Sequence, residues 1–361
     1  MMTNVVTPKA GQEGLLRREL LAAGGLSLAA LAAPGWMHTA AAQAALDKLT
    51  IAVIGDGRTG VWTSLQAGAG GVDLTKELGT KVIWQPGFTA SLPVMEAIRA
   101  GGVDFTFATA TAVVNAVPAG VPIVPLAAYP LPANEVDILV AAGSPIKSAA
   151  DLKGKRVAHQ NGTTGTYSLI KYLETAGLRL TDVQAVSLSG ADAFTALAQG
   201  SVDAWIHWQP QSGLALAKLG DKVRTLPDVK TYDYAFYVAR ADVGIKHTRT
   251  VARLVRLIRD TQRFVFSHPA ETVALWAEKG GFPINSQEQR VYEQLIKDAR
   301  LSDSGAVDVK PIDEAAAAST QDLADNFHAL GVLPNKVDVR SFLLSPKFDP
   351  IKKIVSEELG G

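Results

Sequence analysis

Two stretches of this chain, roughly 100 residues apart, follow one plan. The apolar run LTIAVIG leads into GRTG at 57–60, and KRVAHQN leads into GTTG at 162–165; later MEAIRAGGVDF at 95–105 is answered by FTALAQGSVDA at 194–204. In each copy a β-rich run meets a Gly/Thr turn and a helix-period segment. A second β-run follows (KVIWQ, VQAVSL), then a helix closed by Gly101 or Gly200, then the V-D strand. Such alternation predicts parallel strands with helices packed on their faces. The unit is too long for a solenoid repeat, so the chain is expected to fold as two similar α/β lobes.

Beyond 213 the pattern changes, and the β-rich YDYAFYVAR at 232–240 leads into helix-period segments at 248–267, 270–279, 286–300 and 314–330. The chain has two places to pass between lobes: the Pro-containing YPLPANE at 129–135 and the run at 232–240. Two crossings make a hinge. The expected division is 45–132 plus 238–361 for lobe one and 133–237 for lobe two. Open α/β sheets bind ligands beyond the carboxyl ends of their strands, so two facing lobes share one cleft.

The segment 1–44 reads differently. Arg17 and Arg18 precede an Ala/Leu/Gly-rich run over 20–33, and Ala42-Gln43-Ala44 closes the segment. These are the basic region, short apolar region and A-x-A site of an export leader of the twin-arginine type, expected to be cleaved after Ala44. The chain has no cysteine, which removes disulfides, a lipid-acceptor thiol, a thiolate nucleophile and zinc–sulfur sites. Lys plus Arg and Asp plus Glu both number 35, so no broad field favours nucleic acid or an anionic membrane. The expectation is a periplasmic monomer, not lipid-anchored, with no nucleic-acid partner and no membrane insertion of the mature chain.

Several motifs point to a binding cleft. GDGRTG at 55–60 has the glycine spacing of a dinucleotide fingerprint, but the second strand ends in Gln85, with no carboxylate to hold a ribose. What survives is a turn that aims helix N-terminal N–H groups at the cleft, where a small anion can sit. Gly57, Arg58 and Thr59 are candidates there, Arg58 for a charge-assisted bond. NGTTGT supplies Gly162, Thr163 and Thr164, with one threonine free to cap the helix. FATATAVV supplies Thr109, Ala110 and Thr111. In WIHWQPQ at 205–211, strand alternation separates the two tryptophans; Trp208, with Gln209, is assigned to the cleft and Trp205 to the core. The six histidines show no metal spacing, and His159 and His207 read as structural. No G-x-S-x-G elbow occurs. No catalytic group, metal or cofactor is assigned.

The stretches SPIKSAADLKGKRVAHQNGTT at 144–164, GADAFTALAQGSVDAWIHWQP at 190–210 and FHALGVLPNKVDVRSF at 327–342 resemble the solute-binding proteins of ABC importers for aliphatic sulfonates, taurine and nitrate. The resemblance implies the type II periplasmic binding fold, a hinged clamshell that closes on a small anion and delivers it to an inner-membrane permease. That group usually has W-D-P where this chain has Trp208-Gln209-Pro210, an acid where it has Ala110, and a Glu where it has Tyr129. Without those carboxylates a buried ammonium lacks a counter-charge, which disfavours a taurine-like zwitterion unless Asp233 or Asp137 takes their place. The expected ligand is an alkane- or aryl-sulfonate, its tail held by Trp208, Tyr129 and Tyr234. Nitrate, a carboxylate and a thiamine-pyrimidine precursor are the alternative ligands, and a ligand sensor is the alternative role. Enzymes resembling this group rely on cysteine, so this chain is expected not to be one.

Overall fold

The computed structural model describes residues 46–302 and 308–361; the expected leader and its cleavage site lie outside them. In chain order the strands are β1 (Lys48–Ile54), β2 (Lys81–Phe88), β3 (Phe105–Thr109), β4 (Ile123–Pro130), β5 (Val136–Ala141), β6 (Arg156–His159), β7 (Gln184–Ser187), β8 (Ala204–Trp208), β9 (Val223–Thr225), β10 (Tyr234–Arg240) and β11 (Lys310–Pro311). The helices of the repeated part are α1 (Val61–Gln66), α2 (Leu74–Leu78), α3 (Ser91–Arg99), α4 (Ala110–Ala116), α5 (Thr164–Glu174), α6 (Gly190–Ala198) and α7 (Gln211–Leu219). Then come α8 (Ala241–Lys246), α9 (Thr248–Ser267), α10 (Pro269–Gly280), α11 (Gln287–Lys297), α12 (Glu314–Ala329), α13 (Val339–Leu343) and α14 (Asp349–Leu359).

The strands form two sheets, ordered β11-β4-β10-β3-β1-β2 and β7-β6-β8-β5-β9. The duplication is visible in the pairing: β1 lies parallel to β2 and β3, and β6 lies parallel to β7 and β8. The repeated V-D dipeptide has a structural reason. Asp104 accepts the Thr50 backbone N–H at 2.8 Å, and Asp203 accepts the Arg156 backbone N–H at 2.8 Å, so each aspartate fastens the V-D strand to the first strand of its copy. Arg240 and Arg156 close the ion pairs at 2.7 and 2.8 Å.

The sheets are mixed rather than parallel throughout. β10 runs antiparallel to β3 and β4, and β5 runs antiparallel to β8 and β9. The reason is connectivity: β5 and β10 are the strands by which the chain enters one sheet from the other, so each starts at the end where the parallel strands finish. The return to the larger sheet is made by Tyr234. Alternation along the strands splits the apolar residues between two faces of each sheet. Phe236 and Val238 join one core of the larger sheet, and Tyr237 and Ala239 join the other. In the smaller sheet, Ile206 and Trp205 separate in the same way. A satellite core around Trp276, Tyr292 and Leu295 holds α10 and α11 together.

Candidate functional site: a cleft ringed by helix N-termini

Each parallel strand of the duplicated units runs into a helix. β1, β2 and β3 lead to α1, α3 and α4; β6, β7 and β8 lead to α5, α6 and α7. Residues at the starts of all six line one cavity of about 800 Å³: Gly60, Ser91, Thr111, Thr164, Gly190 and Gln211. The first turn of a helix leaves N–H groups without intrahelical acceptors, and the aligned peptide dipoles place partial positive charge there. Among the described residues the lining contains no Lys or Arg, and its acids are Asp56, Glu135 and Glu288. The described wall therefore offers a negatively charged ligand neutral donors and no cation.

The hydroxyls at these starts are largely tied to the protein. Thr163 Oγ1 donates to the Gln160 carbonyl at 2.6 Å and does not cap α5; Thr109 and Thr111 share a hydrogen bond of 2.6 Å. Thr164 Oγ1 donates to Asp233 Oδ2 at 2.7 Å, while Asp233 Oδ1 accepts the N–H groups of Ala110 at 3.1 Å and Tyr234 at 2.8 Å. Asp233 thus joins the starts of α4 and α5 across the two sheets. It is 2% exposed, and burial pushes its carboxyl up to about 6 against the pull of its three donors. Asp137 is engaged likewise, accepting from Gln209 Nε2 at 2.6 Å, Ser212 Oγ at 3.0 Å and Arg300 at 2.8 Å. Neither acid lines the cavity.

Trp208 stands in the cavity wall with His207 stacked behind it, ring centroids 3.9 Å apart at 26°. Burial holds His207 down to about 4, so the ring is neutral at physiological pH. Trp205 is 1% exposed in the core on the other side. His159 bonds Thr166 Oγ1 at 2.9 Å, and His207 Nδ1 contacts the Trp208 carbonyl at 3.1 Å, so the two histidines have separate partners.

A model of the family described as NMT1/THI5 like matches residues 76–272. A relative in Escherichia coli (strain K12), whose name designates an aliphatic sulfonates-binding protein, is 31% identical over 269 residues, 74% of this chain and 80% of that one. The chain belongs to the NMT1/THI5 like family. Within solved structures, the periplasmic aliphatic sulphonate binding protein SsuA from Escherichia coli superposes with a TM-score of 0.69 at 30% identity, over 82% of this chain and 91% of that one. The alkanesulfonate-binding protein SsuA from Xanthomonas axonopodis pv. citri bound to MOPS gives 0.70 at 25% identity, over 82% and 97%. This member of the NMT1/THI5 like family is a two-lobe clamshell.

Of the residues expected in the cleft, Gly57, Thr59, Thr109, Thr111, Tyr129, Gly162, Thr163, Thr164, Trp208 and Gln209 line the cavity. Three do not. Arg58 is exposed, turned outward by a bend in which its N–H donates to Asp56 Oδ1 at 3.0 Å. Ala110 is buried with its N–H spent on Asp233. Tyr234 packs on the face of β10 opposite Tyr237, because strand alternation sends residues three apart to opposite sides, and Tyr237 is the one in the lining. Gln209 is in the wall, but its amide already serves Asp137 and the Gly213 N–H. The sequence reading missed Trp62, Phe107, Phe282 and the buried carboxylate Glu135, all of which line the cavity. The signal for Trp62 lay in its place at a helix start, and that for Phe107 in strand alternation, which puts it two residues before Thr109 on the same face of β3; Phe282 carried none.

Proposed function

We propose that this protein is the binding component of an ABC importer, capturing an organic sulfonate in the periplasm and delivering it to an inner-membrane permease. The observation that carries the reading is the convergence of six helix N-termini, three from each sheet side, on a cavity whose described lining has no Lys or Arg. A sulfonate spreads a permanent negative charge over three oxygens and needs no proton from the site. Neutral N–H donors at helix starts suit it. The named relatives, the leader-like sequence over 1–44 and the two-lobe fold support the same assignment. No helix of the described residues is long and apolar enough to cross a membrane.

We read the protein as a carrier and not a catalyst. Ser91 is in the lining, but its Oγ accepts the Thr109 N–H at 3.4 Å and has no histidine as partner, and the lining's one histidine is held neutral behind Trp208. Among the described residues no group of His, Asp and Glu is set to hold a metal ion.

The test is isothermal titration of the purified mature chain with organic sulfonates, sulfate, nitrate and small carboxylates. Saturable binding of an organic sulfonate, at least about tenfold tighter than the inorganic anions and carboxylates, is expected; a preference for any of the others overturns the reading. Glu135, 3% exposed in the wall, favours a second reading in which the ligand also carries an amine. Taurine against ethanesulfonate, a pair differing in that amine, separates the two.

A further inference from the structure

The cavity is far larger than a short alkanesulfonate needs, and its wall carries two layers of aromatic rings. At about 800 Å³ it lies in the upper part of the range that encloses drug-sized ligands. Beside the helix starts, the half-buried rings of Trp62, Phe107 and Phe282 share the wall with Leu214. Behind them stands a second layer of rings, Tyr129, Tyr237, Trp276 and Tyr292.

The polar tips of that second layer are committed to the protein. Gln262 Nε2 donates to the Tyr237 hydroxyl at 3.0 Å and to the Tyr129 hydroxyl at 3.4 Å. Trp276 Nε1 donates to Ser64 Oγ at 2.9 Å, and the Tyr292 hydroxyl donates to Thr59 Oγ1 at 3.3 Å. Phe282 lies nearly parallel to Tyr292, centroids 5.5 Å apart at 20°, and Trp62 meets Tyr237 edge-on at 6.4 Å. A flat apolar tail placed here finds ring faces and edges already fixed in place. On the other side, His207 backs one face of Trp208 and leaves the rest of that half-buried ring to the cavity.

We infer that the cavity is built for an arenesulfonate, its ring system seated among Trp62, Phe107, Phe282 and Trp208 and its head at the ring of helix starts. The inference rests on the sulfonate reading and narrows it from organic sulfonates at large to those with a fused or substituted aromatic tail.

Competition titrations with the whole mature chain decide it, using naphthalene-2-sulfonate and 4-toluenesulfonate against ethanesulfonate and butanesulfonate. The expected result is at least about tenfold tighter binding of the naphthalene compound than of butanesulfonate, and a loss of at least about threefold of that preference in Phe282→Ala. Phe282→Leu, which keeps most of the volume, guards against a variant that does not fold and is expected to fall between. Alkanesulfonates binding as tightly as the arene series, or Phe282→Ala weakening both series by one factor, overturns the inference while the sulfonate reading stands. If neither series binds, the sulfonate reading itself falls and the inference with it.

Discussion

Asp233 is the side chain on which the junction of the two sheets turns. Its folded-state pKa of about 6 lies above the ordinary carboxylate value, because burial outweighs the bonds from Thr164, Ala110 and Tyr234. For an acid raised in this way the folded state holds the proton longer than the unfolded one. Stability is therefore lost as pH climbs from about 4 through about 6, by something on the order of 3 kcal/mol at pH 7. His207 acts in the opposite sense: its depressed pKa of about 4 costs stability as pH falls below the unfolded histidine value of about 6.5. The two slopes oppose each other, so the wild-type profile alone does not isolate either. Asp233→Asn keeps the acceptor for both N–H groups and lets Thr164 reverse its hydroxyl. Denaturant unfolding of the two proteins from pH 4 to 8 should show the variant gaining on the wild type as pH rises through 6. Trp208→Ala should weaken ligand binding by ~1–3 kcal/mol, read by titration, with stability little changed; lost stability at unchanged affinity would assign the ring to the core.

At the scale of elements, what the chain reveals before folding depends on how local the signal is. The turns at 57–60 and 162–165 announce themselves because strand, glycine bend and helix start lie within a dozen residues of one another. The same locality separates Trp208 from Trp205. Arg58 and Tyr234 escape such reasoning, since a charge beside a bend and a ring at a strand start give no hint of which way they turn. The aromatic wall is harder still. Phe282 and Tyr292 reach the cavity only because α10 and α11 fold back onto the start of α1, where Tyr292 meets Thr59, and no short window contains both. The antiparallel entry of β5 and β10 is likewise a property of the path between sheets. The seat of α6 on β8 offers a direct check: a Cβ on Gly190 would fall 2.7 Å from His207 Nε2. Gly190→Ala should push that ring toward Trp208 and destabilise the fold by ~1–3 kcal/mol in urea unfolding, with weaker ligand binding alongside.

At the scale of the whole molecule, side-chain ties beside the chain crossings span the two sheets. Asp233 joins α4 to α5, the Tyr167 hydroxyl donates to Asp322 on α12 at 3.0 Å, and Arg300 reaches Asp137 on β5. A ligand held from both sides adds a further tie that the unfolded chain cannot make. At one hundred times its dissociation constant it should contribute about 2.7 kcal/mol, visible as a rise in melting temperature that grows with ligand concentration. A melting temperature indifferent to saturating ligand would mean that binding and folding are not linked. The missing cation in the wall has its own outcome. Where an arginine grips an anion, dissolved ions compete for both partners and affinity fades as they accumulate. A guest cupped by fixed peptide dipoles inside a sheltered hollow meets fewer such rivals, so its dissociation constant should rise less from dilute buffer to brine than at an arginine-lined site.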